Sequence, residues 1–313
     1  MQGSDVETGY ARVSGLRMYH EIHGAGRPVL LLHGAYMSAD TWGPFLPGLA
    51  RTRRVIVPEQ QGHGRTADVD RPITYEQMAD DTAALARHLG IEEVDVVGYS
   101  MGAGVGLQMA MRHPALVRRL VAASASFTSD GMHAAALEMF PSITPEMFAG
   151  SPMEEEYVRL APNPDDFPKL VMKLKELDMT PFAWPEDDIR AIAAPTMIVV
   201  GDSDLVRLEH AVELFRLRGG GVMGDLAGLP TSQLAVLPGT THFMPPGSGV
   251  MDRADWLLAM IVPFLDAPDA PREPELDELV DEFGDRSGPD PAREPELELG
   301  EEEQIVEPAP DDD

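Results

Sequence analysis

Ser100 lies in Gly98-Tyr99-Ser100-Met101-Gly102, with glycine two positions away on each side. A serine hydroxyl is a poor nucleophile until a base takes its proton and a third group orients that base. The chain has nine histidines to supply the base. His242 is the best placed, because Leu234-Ala235-Val236-Leu237 reads as a strand and Pro238-Gly239-Thr240-Thr241 as a loop carrying the histidine over the sheet edge. His20 and His23 fall on an early strand, and His88, His113 and His210 on or beside helices, where surface positions are expected. His63, within Gly62-His63-Gly64, is suited to bracing a turn. For the orienting acid, Val199-Val200-Gly201-Asp202-Ser203-Asp204 offers two aspartates at a strand end. Asp204 lies further into the loop and reaches a histidine more easily, whereas Asp202 suits hydrogen bonds to the backbone amides of the turn. Ser100 attacking, His242 moving the proton and Asp204 fixing the imidazole tautomer would together perform acyl transfer. That chemistry also needs donors for the developing oxyanion. The backbone N–H of Met101 and that of Ala35, in the turn His33-Gly34-Ala35-Tyr36, are the candidates.

These residues need a sheet to hold them. Val94-Asp95-Val96-Val97 reads as a buried strand, and Ala103 to Met111, stopped by His113-Pro114, as a helix. Ser100 therefore falls on a tight strand-to-helix turn, where glycine removes side chains that would meet crossing backbone. Further strands are expected at residues 10–13, 16–23, 29–32, 54–58, 117–123, 196–200 and 233–237, and helices at 74–89, 209–216 and 252–265. This alternation predicts an α/β fold with a doubly wound, mostly parallel sheet. Between Ser126 and Arg190 the alternation stops, and the stretch is rich in proline, methionine and phenylalanine. Short helices forming a lid are expected there, with an apolar underside that makes an adaptable pocket. Tyr36, Phe140, Phe148, Trp184 and Phe243 are the candidate pocket residues. The domain reading is a core at residues 1–125 and 191–266, a helical cap at 126–190 and a disordered acidic tail at 267–313.

The formal net charge of −29 is concentrated at one end. Residues 267–313 hold 19 acidic and three basic residues with eight prolines, a composition that cannot bury enough surface to fold. It reads as a solubilising tail, with an acidic arm for a basic partner as the alternative. The body is also acidic, which argues against a nucleic-acid surface. There is no cysteine, hence no disulfide or thiolate chemistry, and no metal cluster or phosphate loop, so no cofactor is expected. No apolar run reaches 18 residues and the polar start lacks a signal-peptide pattern; no membrane span and a cytoplasmic location are the expectations.

Taken in order, Leu32-His33-Gly34, Gln61-Gly62-His63-Gly64-Arg65-Thr66, Gly98-Tyr99-Ser100-Met101-Gly102, Gly201-Asp202-Ser203-Asp204 and Pro238-Gly239-Thr240-Thr241-His242-Phe243 resemble the successive signatures of the α/β-hydrolase superfamily. The resemblance covers residues 8–266. It implies an eight-stranded sheet, a cap after the sixth strand and a cofactor-free triad, and it supports Asp204 as the acid. Glu59-Gln60-Gln61 departs from the aspartate and arginine that the family often has there, and Met244 to Gly249 form a longer loop than usual. Dehalogenases and epoxide hydrolases of the superfamily need a carboxylate where Ser100 stands. The resemblance is to small capped carboxylesterases and enol-lactone hydrolases, implying a small-molecule ester or lactone as substrate. Hydrolysis of a C–C bond in a carboxylated ring-cleavage product is a second reading, with Arg159, Lys169, Lys173 and Arg190 as candidate carboxylate partners. A ligand sensor with an idle triad is a third. Oligomeric state is open.

Overall fold

Val29, Leu30, Leu31 and Leu32 are all fully buried, and they face opposite ways in turn: Leu30 and Leu32 join one apolar cluster, Val29 and Leu31 the other. A strand buried on both faces needs helices above and below it, and the computed structural model, which describes residues 6–268, has that layering. Eight strands, β1 (Glu7–Val13), β2 (Leu16–His23), β3 (Arg27–Leu32), β4 (Arg53–Pro58), β5 (Val94–Tyr99), β6 (Val117–Ala123), β7 (Thr196–Ser203) and β8 (Gln233–Thr241), lie in the order β1-β2-β4-β3-β5-β6-β7-β8. β1 pairs antiparallel with β2 and β2 with β4, and every other neighbour is parallel.

Ten helices accompany them among the described residues: α1 (Phe45–Leu49), α2 (Tyr75–His88), α3 (Met101–Arg112), α4 (Ala134–Met139), α5 (Pro152–Leu160), α6 (Phe167–Met179), α7 (Glu186–Arg190), α8 (Leu208–Leu217), α9 (Gly224–Ala227) and α10 (Ala254–Asp266). The apolar positions of α2 (Met78, Ala79, Ala83, Ala86), α3 and α8 pack on one sheet face; Phe45 and Leu49 of α1 with Leu257, Ile261 and Phe264 of α10 cover the other. Spacings of three and four residues put each set on one helix side. Thr74 starts α2 by accepting the Gln77 N–H at 3.2 Å. None of the helices is long and apolar enough to cross a membrane.

Two sequence expectations shift. Pro238 to Thr241 continue β8 rather than forming a loop, with Thr241 opposite Ser203 across a register irregularity after Gly201. β8 is an edge strand, where the missing N–H of Pro238 breaks no interior ladder. The histidines are also less peripheral than expected. His20 and His210 are buried, His210 stacked on the Phe127 ring with centroids 4.2 Å apart. Residues 269–313, nearly all of the segment read as an acidic tail, lie outside the described residues.

The stretch between β6 and β7 contains α4 to α7 with short 3₁₀ turns and no strand. Where it rejoins the sheet, the buried Arg218 guanidinium donates to the carbonyls of Ile189 (2.7 Å), Arg190 (2.9 Å), Ile192 and Ala194 (3.2 Å). One side chain thus satisfies four carbonyls of a segment without regular pairing. Arg218→Met is expected to cost about 3 kcal/mol, because the Ile192 carbonyl would stay buried without a donor and the Ile189, Arg190 and Ala194 carbonyls would each lose one; the urea midpoint of the variant measures it.

Candidate active site

Ser100 occupies the turn between β5 and α3 with φ +55° and ψ −119°, a conformation an L-residue holds only when its surroundings impose it. The two flanking glycines make this turn sterically feasible. A Cβ on Gly98 would stand 2.3 Å from Gly102 O, and one on Gly102 would stand 1.9 Å from Leu32 O. The backbone of β3 and that of α3 therefore touch, and the serine is pushed above the sheet at the helix N-terminus.

His242 follows β8 directly. Its Nε2 is 2.8 Å from Ser100 Oγ and its Nδ1 2.7 Å from Asp204 Oδ1. Burial alone would raise the Asp204 pKa, but hydrogen bonds from His242, from Ser124 Oγ (2.6 Å) and from the Val206 N–H (3.1 Å) hold it below the usual aspartate range. Asp204 is thus ionised and can only accept, so Nδ1 carries the imidazole proton and Nε2 is left to accept from the Ser100 hydroxyl. The histidine's backbone is held as well: its carbonyl accepts from Tyr99 Oη at 2.7 Å and from the Val250 N–H at 3.3 Å. The loop 244–249 closes on itself through Ser248, whose N–H and hydroxyl donate to Pro245 O at 3.1 and 2.6 Å, and is tied to β8 where the Ser248 carbonyl accepts from the Thr241 N–H at 2.8 Å. Asp202, the alternative acid, accepts instead from the Gly239 and Thr240 N–H groups at 2.9 and 3.1 Å.

Ala35 and Met101 both line the cavity in front of Ser100. Neither backbone N–H has a hydrogen-bond partner among the described residues. Met101 is the first residue of α3, where no carbonyl one turn earlier is available. The Ala35 turn is shaped by His33, whose Nδ1–H donates to Gly34 O (2.8 Å) while Nε2 accepts from the Gln60 N–H (3.0 Å). Burial pushes the His33 pKa down to about 4, so this clamp stays neutral. His63 packs against it and bonds Gln61 O at 3.0 Å, and buried Glu59 binds Arg65 Nη1 at 2.6 Å behind the same turn.

The cavity measures about 300 Å³. Tyr36, Phe140, Phe148 and Phe243 line it. Trp184 does not; it lies behind the wall, edge-on to Tyr75 and 5.1 Å from the Phe182 ring, and Phe182 faces the cavity in its place. None of the four cations considered for a substrate carboxylate lines the cavity. Arg159 pairs with Asp40, Lys169 and Lys173 with Asp68, and Arg190 with Glu186 and Asp187. No grouping of three or more His, Cys, Asp or Glu suited to a metal ion occurs among the described residues. Ser124, Tyr99 and the cavity residue Asp178 are the participants that sequence reasoning missed.

The family whose description is alpha/beta hydrolase fold matches residues 27–167. The crystal structure of the enol-lactonase from Burkholderia xenovorans LB400 superposes with a TM-score of 0.60 at 20% identity, over 82% of this chain and all of that one. This is an α/β-hydrolase-fold protein. A provisionally named carbamate hydrolase of Azorhizobium caulinodans is 33% identical over 153 residues, 49% of this chain and 56% of that one. The 2-hydroxymuconate semialdehyde hydrolase of Pseudomonas sp. strain CF600 is 36% identical over 112 residues, 34% of this chain and 40% of that one. The matches thus span about half the length of these relatives.

Asp178 has a consequence for stability. Burial raises its pKa from 3.8 to about 7. Between those values the unfolded chain gives up this proton while the folded chain keeps it, so stability falls as pH rises from about 4 to about 7. The penalty is on the order of 4 kcal/mol when complete. Asp178→Asn removes it, and the variant's gain in Tm over the wild type is expected to be larger at pH 8 than at pH 4.5 in paired thermal melts.

Proposed function

We propose that the chain is a serine hydrolase that cleaves a small carboxylic ester or lactone lacking an anionic group. The observation that carries this reading is the Ser100–His242–Asp204 hydrogen-bonded chain opening onto an apolar cavity with no lysine or arginine in its wall. His242 Nε2 takes the Ser100 proton as Oγ attacks the carbonyl carbon. The tetrahedral oxyanion meets the Ala35 and Met101 N–H groups, donors worth roughly 3–4 kcal/mol each in such sites. The intermediate collapses, His242 protonates the departing alcohol, and water repeats the sequence to free the acid and Ser100. Asp204 stays ionised throughout and stabilises the imidazolium.

The carbamate hydrolase and enol-lactonase similarities support hydrolysis at a carbonyl carbon bearing a heteroatom leaving group. The C–C reading, favoured by the semialdehyde hydrolase relative, calls for a cation facing a substrate carboxylate, and the cavity offers a carboxyl group instead. Hydrolysis of p-nitrophenyl acetate, butyrate and octanoate tests the proposal. The expected result is turnover of at least one, with the chain-length optimum set by the cavity. A folded protein inert to all three would reject the esterase reading and favour a sensor.

A further inference from the structure

Among the residues that line the cavity, Asp178 is the only carboxylate, and neither lysine nor arginine accompanies it. Its carboxylate has no ion pair or hydrogen bond among the described residues. It stands in the last turn of α6, where the helix carries no basic residue and its own carbonyl end adds negative potential. Asp178 is close enough to Tyr36 and Tyr75 that its charge adds to burial in raising both phenol pKa values. Tyr36 Oη is itself buried without a partner and belongs to the same wall. Phe148 packs on Tyr36 with ring centroids 4.7 Å apart, and Phe182 on Tyr75 at 5.5 Å. A carboxylate left unpaired in an apolar chamber is costly unless something else neutralises it. Aromatic faces grouped around a carboxylate attract a positive charge through both Coulomb and cation–π terms.

We infer that Asp178, with the rings of Tyr36, Tyr75, Phe148 and Phe182, is the specificity-determining group of the cavity and receives a positively charged nitrogen, an ammonium or alkylammonium group, on the substrate. The inference rests on the reading of this cavity as the substrate site. It narrows that reading from uncharged or cationic esters to those carrying a cationic nitrogen, and it accounts for the absence of basic residues from the wall. An anionic substrate would meet Asp178 with like charge.

Binding to the full-length Ser100→Ala protein, which cannot turn substrate over, separates this inference from the hydrolase reading. Calorimetric titrations at pH 8.5, where Asp178 is ionised, compare phenyltrimethylammonium with its neutral isostere tert-butylbenzene and with benzoate. The expected result is that the cation binds and benzoate does not. Adding Asp178→Asn should weaken the cation at least tenfold while tert-butylbenzene changes less than twofold, showing an intact cavity. Asp178→Glu should retain the cation. Failure of the cation to bind, equal losses for cation and isostere in Asp178→Asn, or an unchanged cation affinity in that variant would each overturn the inference. Ester turnover by the wild type is read separately, so a loss of one result does not mimic a loss of the other.

Discussion

Ser100→Ala is expected to lower kcat for p-nitrophenyl ester hydrolysis by about four to six orders of magnitude, with KM within a few-fold of the wild type. In the proposed mechanism the variant removes the atom that forms the acyl bond while leaving the cavity wall in place. It should fold normally, since alanine meets the same φ of +55° as serine and introduces no new atom. His242→Ala should cost about as much. The double variant should be little worse than either single one, because serine and histidine act as one unit. Stopped-flow comparison of the three proteins checks all of this at once. A Ser100→Ala rate within tenfold of the wild type would move the chemistry to another residue.

Gly102→Ala should have the largest structural effect of any single methyl group. Glycine to alanine inside a helix ordinarily gains about 1 kcal/mol. Here the added Cβ would stand 1.9 Å from Leu32 O, 2.4 Å from Leu32 C and 2.7 Å from His33 O, all backbone atoms of β3 and the turn beyond it. None can swing aside as a side chain would, so the strand and helix must separate, opening the core beneath Ser100. The expected loss exceeds about 4 kcal/mol, corresponding to a Tm lower by about 10 °C or more for a domain this size. The Ala35 turn follows His33, so surviving protein should lose oxyanion stabilisation as well. Thermal melts measure the first effect and ester kinetics the second. As a control, Gly150→Ala, with nothing within 4 Å of its Cβ, should cost only the backbone strain of its positive φ.

Much of this arrangement is legible in the chain because local pattern and tertiary role coincide. The all-apolar run 29–32 reads as a strand covered on both faces, and Gly98 and Gly102 bracket a turn that other residues would block. The rest depends on contacts between distant segments. Asp202 and Asp204 are two residues apart, and the choice between them is made by the extension of β8 through Thr241. That extension brings the Gly239 and Thr240 N–H groups to Asp202 and His242 to Asp204. Ser124 lies outside every motif and Tyr99 is a variable position within one; the first becomes a donor to Asp204 and the second a donor to the His242 carbonyl only once β5, β6, β7 and β8 lie side by side. Trp184 reads as a pocket residue by type, but Phe182 takes the wall and Trp184 packs behind it. Asp178 lies in the lid stretch and belongs to no motif. Its place in the cavity follows from how α6 sits over the sheet, which no local period encodes.

In the proposed mechanism one serine, Ser100, carries the acyl group. Treating the full-length protein with diethyl p-nitrophenyl phosphate, a reagent that phosphorylates activated serines, tests it directly. Intact-mass and peptide mass spectrometry should find one diethylphosphoryl group per chain, on Ser100, with ester hydrolysis falling in proportion to labelling. Labelling at another residue, or full hydrolysis by protein labelled at Ser100, would rule out Ser100 as the nucleophile.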